Sequence, residues 1–168
     1  MPNLPTYEVH ACKYAHLPRK AHEVQIMADP HDGDHPMDYF VWVAIPLGED
    51  GKRLVGGQPI VIDTGFSETV GAQRGRKMLR SPALTLRDLG VEPDDVRDVI
   101  ITHLHYDHVG GWAMFPNARY HVQDREMQFA TSNRSATPTR SRKWWRWCAI
   151  STAIASSSMT ATARSRPA

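Results

Sequence analysis

The sequence predicts a mixed α/β domain in which helices pack on a sheet. Three observations predict it. Two apolar, β-branched runs, YFVWVAI and VRDVII, have the character of buried strands. A stretch with regularly spaced leucines stops at a glycine, and a histidine-rich loop directly follows the second run. Strands that alternate with helices favour a layered arrangement. With 168 residues, 41% of them hydrophobic, the chain can form one domain with a real core.

The elements are predicted in chain order from these patterns. Residues 1–38 are expected to be irregular, with the run DPHDGDHP at 29–36 as a loop. Strands are expected at 39–45 and 59–62, and their glycine-rich link favours a hairpin or meander. Residues 71–80 have weak helical spacing, and the leucines at 84–89 precede Gly90, which predicts a short helix with a glycine stop. Strands at 96–101 and 119–122 and a helix from 124 to 130 complete the prediction.

The charge is unevenly divided along the chain. Residues 1–130 hold 13 Lys and Arg against 18 Asp and Glu, whereas residues 131–168 hold 7 basic residues and no acidic one. Such a sharp break predicts a domain at residues 1–130 and a basic, low-complexity, disordered tail at residues 131–168.

Composition also predicts the setting of the protein. No segment approaches the roughly 20 apolar residues of a membrane span, and the N-terminus lacks the pattern of a secretory signal. Cys12 and Cys148 are too few for a disulfide framework. We therefore expect a reducing, cytoplasmic location, with neither a membrane nor a nucleic acid as partner.

The loop at residues 102–111, THLHYDHVGG, contains His103, His105, Asp107 and His108. His103 and His105 are two positions apart, so in extended backbone they point to the same side and can share one cation. Asp107 and His108 lie beyond the bend and can face a second cation, about 3.5–4 Å from the first in typical two-metal sites. Imidazole and carboxylate ligands without thiolate favour zinc, with iron or manganese possible.

The alternative for this loop is a set of surface histidines. Three histidines and an aspartate in one short loop after a buried strand disfavour that alternative. The glycines that follow, Gly110 and Gly111, are expected to let the backbone pass close to the metal ions without a Cβ in the way.

The segment HLHYDH matches the HxHxDH signature of the metallo-β-lactamase-fold hydrolases. Three further segments, DYFVW, IDTG and FPNARYHVQDREM, resemble the N-acyl homoserine lactonase branch of that superfamily. The resemblance covers about residues 5–130 and implies the N-terminal half of an αββα sandwich, in which two sheets are flanked by helices. Half of such a sandwich would leave one sheet face bare.

The resemblance also implies roles for individual residues. His103 and His105 resemble the ligands of a first metal ion, and Asp107 and His108 those of a second, with Asp107 also the catalytic residue. In the family, a metal-bound hydroxide opens a lactone ring, which implies a small-molecule ester or lactone substrate. Asp63 resembles the family's aspartate beneath the loop, where it would hydrogen-bond to loop backbone or to a ligand histidine. The alternative for Asp63 is a residue that only turns the chain at a strand end.

The remaining ligands of the family come from the second half of its domain. This chain has no histidine after His121 and no aspartate after Asp124, and His121 itself is expected to be structural. Two protein ligands per ion predict an open, weak site. The expected function is therefore metal-dependent lactone ring opening that is impaired in this chain, and the alternative is an inactive remnant.

Three interpretations of the tail stay open. One is a module that binds membrane or nucleic acid through RKWWRW at residues 142–147. The second is a disordered extension. The third is a frameshift between about residues 130 and 143. With arginine codons of the CGN type, a shifted frame gives an apolar stretch across 143–149, and the same frame forces an aspartate within 158–163. The lactone, the metal and the oligomeric state stay open as well.

Overall fold

The computed structural model describes residues 4–27, 29, 31 and 33–132, so the predictions for residues 133–168 lie outside it. Its strands are β1 (Thr6–Leu17), β2 (Met37–Leu47), β3 (Ile60–Ile62), β4 (Lys77–Met78), β5 (Asp98–Ile101) and β6 (Arg119–Val122). Its α-helices are α1 (Glu68–Gln73), α2 (Pro82–Asp88), α3 (Tyr106–Val109) and α4 (Asp124–Ser132), with single-turn 3₁₀ helices at Ala21–Glu23, Pro93–Asp95 and Trp112–Met114.

The six strands form one sheet in the order β4-β1-β2-β3-β5-β6. β1, β2 and β3 pair antiparallel, whereas β3, β5 and β6 pair in parallel. This sheet with its helices confirms the mixed α/β class, and the antiparallel pairing of β2 with β3 confirms the predicted meander. None of the helices in the described part of the chain is long and apolar enough to cross a membrane.

The prediction that residues 1–38 are irregular is wrong for residues 6–17. These residues form β1, which pairs with β2 from Thr6 to Leu17 except at Tyr14. A β-bulge shifts the register between Lys13 and Ala15, so the alternation of inward and outward side chains breaks inside the strand. Because strand prediction depends on that alternation, the bulge conceals the strand in the sequence. Residues 29, 31 and 33–36 form a loop as predicted, where an isolated bridge joins Lys20 to Asp34.

The helix predicted within residues 71–80 begins earlier and is shorter. It is α1, whose first turn is capped by Ser67: the Val70 backbone N–H donates to the Ser67 hydroxyl at 3.4 Å. The chain turns at Gly75, with a φ of 66°, and then forms β4, which pairs with the edge of β1. The leucine-rich helix is α2, and the chain turns at Gly90, with a φ of 76°, as the glycine stop predicts.

One face of the sheet forms the hydrophobic core. Val41, Val43, Val61 and Val99 are fully buried on this face and belong to one cluster with Leu86 of α2. Burial of each such side chain contributes about 1.5–3 kcal/mol. The core therefore fixes the positions of β3 and β5, the strands that lead into the histidine loop.

The opposite face, which we call the outer face, is apolar but exposed. It is formed by Val9, Phe40, Trp42, Ile62 and Ile100, and the register aligns Trp42 with Ile62 and Ile62 with Ile100 across three strands. Val9 is 56% exposed and Trp42 is 43% exposed. This surface is the bare sheet face expected for half of a two-sheet sandwich.

Candidate metal centre

The carboxyl ends of β3 and β5 lie side by side because the two strands pair in parallel. Asp63 directly follows β3, and its backbone N–H donates to the Ile100 carbonyl of β5 at 2.8 Å. Its φ of 60° lies in the left-handed region, which aspartate tolerates better than most residues. Asp63 is only 4% exposed. The end of β3 therefore places a buried carboxylate directly beside the loop that follows β5.

The Asp63 carboxylate contacts both ends of the histidine loop. Its Oδ1 accepts a hydrogen bond from the Thr102 backbone N–H at 2.8 Å, and its Oδ2 accepts one from the Thr102 hydroxyl at 2.8 Å. Oδ2 also lies 2.7 Å from Nδ1 of His108. Asp63 thus ends a strand in a turn and also contacts a histidine of the motif, so the two interpretations left open by the sequence coincide in one residue.

His103 and His105 present two ring nitrogens to a common space. Nε2 of His103 and Nδ1 of His105 are 3.1 Å apart. In a tetrahedral zinc site with bonds of about 2.0–2.1 Å, two ligand nitrogens stand about 3.3–3.4 Å apart. The separation in this protein therefore comes close to one edge of a zinc tetrahedron.

Asp107 and His108 form a second pair of donors next to the first. Oδ2 of Asp107 lies 3.7 Å from Nε2 of His108, and the rings of His103 and His108 have centroids 3.8 Å apart. When the Nδ1 hydrogen of His108 is donated to Asp63, the lone pair on Nε2 is left free on the side of Asp107. A carboxylate behind a histidine in this way orients the ring of metal-binding histidines.

The pKa values of His103 and His108 are shifted in opposite directions. Burial lowers the pKa of His103, and the neighbouring His108 and His105 add to this effect. Burial also opposes the charged form of His108, but the hydrogen bond to Asp63 and the charges of Asp63 and Asp107 outweigh it and raise the pKa of His108. His103 therefore favours the neutral form that binds metal, whereas a cation beside His108 would displace a proton.

The glycines after the motif allow a close approach to neighbouring backbone. A Cβ on Gly111 would collide with the Thr64 carbonyl oxygen, and one on Gly110 with the carbonyl oxygen of Tyr106. Their role beside metal ions stays a prediction. This close approach lets the Thr64 N–H donate to the His108 carbonyl at 2.6 Å, and lets the Gly111 N–H donate to the Thr64 hydroxyl at 3.1 Å.

Sequence reasoning missed three residues that support the loop. Tyr14 of β1 donates through its hydroxyl to the Asp107 carbonyl at 3.0 Å. Glu126 of α4 accepts a hydrogen bond from the Leu104 backbone N–H at 2.9 Å. The third is Thr64, which lies inside the IDTG segment and so had a signal. Glu126 lies inside the FPNARYHVQDREM segment and so had the same kind of signal, whereas Tyr14 had none, because its contact joins separate elements.

The candidate ligands are brought together as two pairs of donors. Across residues 4–27, 29, 31 and 33–132, no group of three or more His, Cys, Asp or Glu side chains is arranged to hold a metal ion. His121, expected to be structural, pairs with Asp98 at 2.7 Å. The donor types and their spacing fit zinc, but two donors do not complete a tetrahedral site.

Comparisons with known proteins agree with this description. Residues 53–128 match the model of the metallo-beta-lactamase superfamily. An N-acyl homoserine lactonase of Bacillus thuringiensis is 32% identical over 104 residues, which cover 54% of this chain and 39% of the relative. The crystal structure of a quorum-quenching N-acyl homoserine lactone lactonase is 26% identical, with a TM-score of 0.55 over 77% of this chain and 50% of that chain. A dizinc quorum-quenching lactonase, AidC, shares the fold at 17% identity, with a TM-score of 0.59 over 99% of this chain and 64% of that chain.

Residues 53–128, which contain the motif, therefore resemble the metallo-β-lactamase superfamily in sequence and in fold. The chain is similar to N-acyl homoserine lactonases. The chain spans 39% of the length of the Bacillus thuringiensis relative.

Proposed function

We propose that this chain is by descent a metal-dependent hydrolase that opens lactone rings, with N-acyl homoserine lactones as the substrate class. In this proposal His103 and His105 hold one divalent ion, and Asp107 and His108 hold a second. Zinc is the first choice, with iron or manganese as alternatives. The observation that carries the proposal is the geometry of the two donor pairs, with His103 and His105 separated by 3.1 Å.

The chemistry of lactone opening suits such a site. Divalent ions, when bound, lower the pKa of coordinated water and polarise an ester carbonyl. The chain itself supplies the orientation. Asp63 accepts the Nδ1 hydrogen of His108 and leaves Nε2 available to an ion. Asp107 is the catalytic residue of the proposal, because its carboxylate stands beside Nε2 of His108, where the attacking water would be held.

The substrate class comes from relatives. The Bacillus thuringiensis relative is an N-acyl homoserine lactonase, and AidC was solved with the product N-hexanoyl-L-homoserine. For this chain we propose slow turnover, because neither donor pair belongs to a group of three or more metal-binding side chains within the described residues. We also propose a reducing, cytoplasmic setting, which is compatible with the buried free thiol of Cys12.

A second candidate is an inactive, metal-poor remnant. The observation that favours it is that the described ranges contain no group of three or more candidate donors around one point. Such a chain would keep the half-fold, because the buried faces of β2, β3 and β5 do not depend on metal.

Metal content and hydrolysis together discriminate between the two candidates. The purified chain would be equilibrated with zinc, freed of excess metal and assayed for acid release from N-hexanoyl homoserine lactone. Near two equivalents of zinc with measurable ring opening would support the hydrolase if His103→Gln loses one equivalent and the activity, while His22→Gln retains both. His22 is an exposed histidine outside the loop and serves as the matched control. A metal-free, inactive wild-type chain would support the remnant.

A further inference from the structure

Tyr14 occupies the β-bulge of β1. Lys13 pairs with Phe40 and Ala15 pairs with Tyr39, which leaves Tyr14 without a partner in β2. Tyr14 and Ala15 are both completely buried, so two consecutive residues point into the core. Bulges redirect side chains and are frequent next to functional sites. The bulge therefore lets Tyr14 and Ala15 both point into the core, whereas in a regular strand consecutive side chains point to opposite faces.

The Tyr14 ring is held between two loops. It packs edge-on against Phe66, with ring centroids 4.9 Å apart. A Cβ on Gly65 would stand 2.8 Å from Cζ of Tyr14, so only glycine fits at that position, where φ is also positive at 69°. The hydroxyl donates to the Asp107 carbonyl at 3.0 Å.

The hydrogen bond of Tyr14 contacts the second half of the histidine loop, at Asp107. The carbonyls of Asp107 and His108 are held by Tyr14 and Thr64 respectively. The first part of the loop is held differently, because Thr102 is anchored on Asp63. The hydrogen bond of Tyr14 therefore falls on the backbone of the second donor pair and not on that of the first.

From this asymmetry we propose that Tyr14 is a positioning residue that sets the Asp107–His108 pair for its ion and leaves the His103–His105 pair unaffected. The proposal rests on the proposed function in so far as it concerns metal binding. It assigns to the bulge of β1 the task of orienting a ligand pair more than 90 positions further along the chain.

The test compares Tyr14→Phe with Tyr39→Phe. Both variants remove one buried hydroxyl from the same aromatic cluster, but that of Tyr39 makes no hydrogen bond within the described part of the chain. Zinc binding would be followed by calorimetry, with Asp107→Asn used to identify which binding step belongs to the second pair. Amide hydrogen exchange of the loop is measured on the same variants without metal.

We expect Tyr14→Phe to weaken the step identified by Asp107→Asn about tenfold, the effect of losing a supporting contact behind a ligand. The other step stays unchanged, and Tyr39→Phe changes neither. The His108 and Val109 amides, which donate to the His105 carbonyl, should exchange faster in Tyr14→Phe alone. Equal weakening of both steps, or no weakening of either, overturns the proposal. If the wild-type chain binds no zinc, the proposed function fails, and unchanged amide exchange then overturns the role of Tyr14 separately.

Discussion

Asp63→Asn is the substitution that tests the centre most directly. Asparagine has the same shape as aspartate and tolerates a positive φ, so the backbone at 60° is retained. The amide cannot carry the charge that faces His108 at 2.7 Å. Loss of a hydrogen bond between charged partners costs about 1.5–3 kcal/mol. With a urea slope of about 1–3 kcal/mol per molar, the unfolding midpoint falls on the order of 1 M.

The assay for Asp63→Asn is urea unfolding followed by circular dichroism, with Asp95→Asn as the control. Asp95 is exposed, and its substitution should change stability by less than about 0.5 kcal/mol. If the chain binds zinc, the affinity of the Asp107–His108 pair should also fall about 10–100-fold in Asp63→Asn. A variant with the midpoint and slope of the wild type would refute the view that Asp63 ties the loop to the sheet.

Further predictions concern the loop, the sheet, the acid range and the gene. Gly111→Ala introduces a Cβ against the Thr64 carbonyl and should cost about 1–3 kcal/mol in urea unfolding, whereas Gly33→Ala meets nothing within 4 Å and should be neutral; equal effects would contradict this. Ile101→Val in the core should cost about 0.5–1.5 kcal/mol, and Ile100→Val on the outer face clearly less. The hydrogen bond with His121 lowers the pKa of Asp98, against the effect of burial. The ionised Asp98 therefore stabilises the fold at pH values above about 4, the pKa of aspartate in the unfolded chain, and this stabilisation is lost as the pH falls. Asp98→Asn should therefore be less stable than wild type at pH 7, and thermal unfolding should show no difference near pH 2. Sequencing the gene across codons 125–170 should reveal a shifted frame that restores downstream histidine and aspartate codons; an uninterrupted gene without such codons in any frame would exclude a frameshift.

The parts of the fold that the sequence predicted are those with a continuous apolar signal. β2, β3 and β5 are apolar runs in which alternate residues are buried, so their positions follow from the local pattern alone. β1 has no such run, and its period of two changes phase at Tyr14. The bulge serves a tertiary contact, because Tyr14 in the bulge bonds to Asp107, which lies far along the chain. Local pattern therefore could not distinguish β1 from a loop.

The same distinction applies to the candidate centre. His103, His105, Asp107 and His108 are neighbours in sequence, so their spacing alone predicted that they would share a site. Asp63 could be suggested only through its family resemblance. Contacts such as that of Glu126 with the Leu104 backbone depend on how α4 packs beneath the loop, and no short-range signal encodes that packing.

A molecule that covers the exposed outer face would link the stability of this chain to the concentration of that molecule. Any molecule that covers Trp42 and Ile100, whether a second copy or another protein, binds the native chain and not the unfolded one. By mass action, a ligand present at 100 times its dissociation constant adds about 2.7 kcal/mol to the free energy of unfolding. That is a large share of the 5–15 kcal/mol typical of a whole domain. For a half-sandwich whose exposed face is covered in this way, dilution would lower the free energy of unfolding.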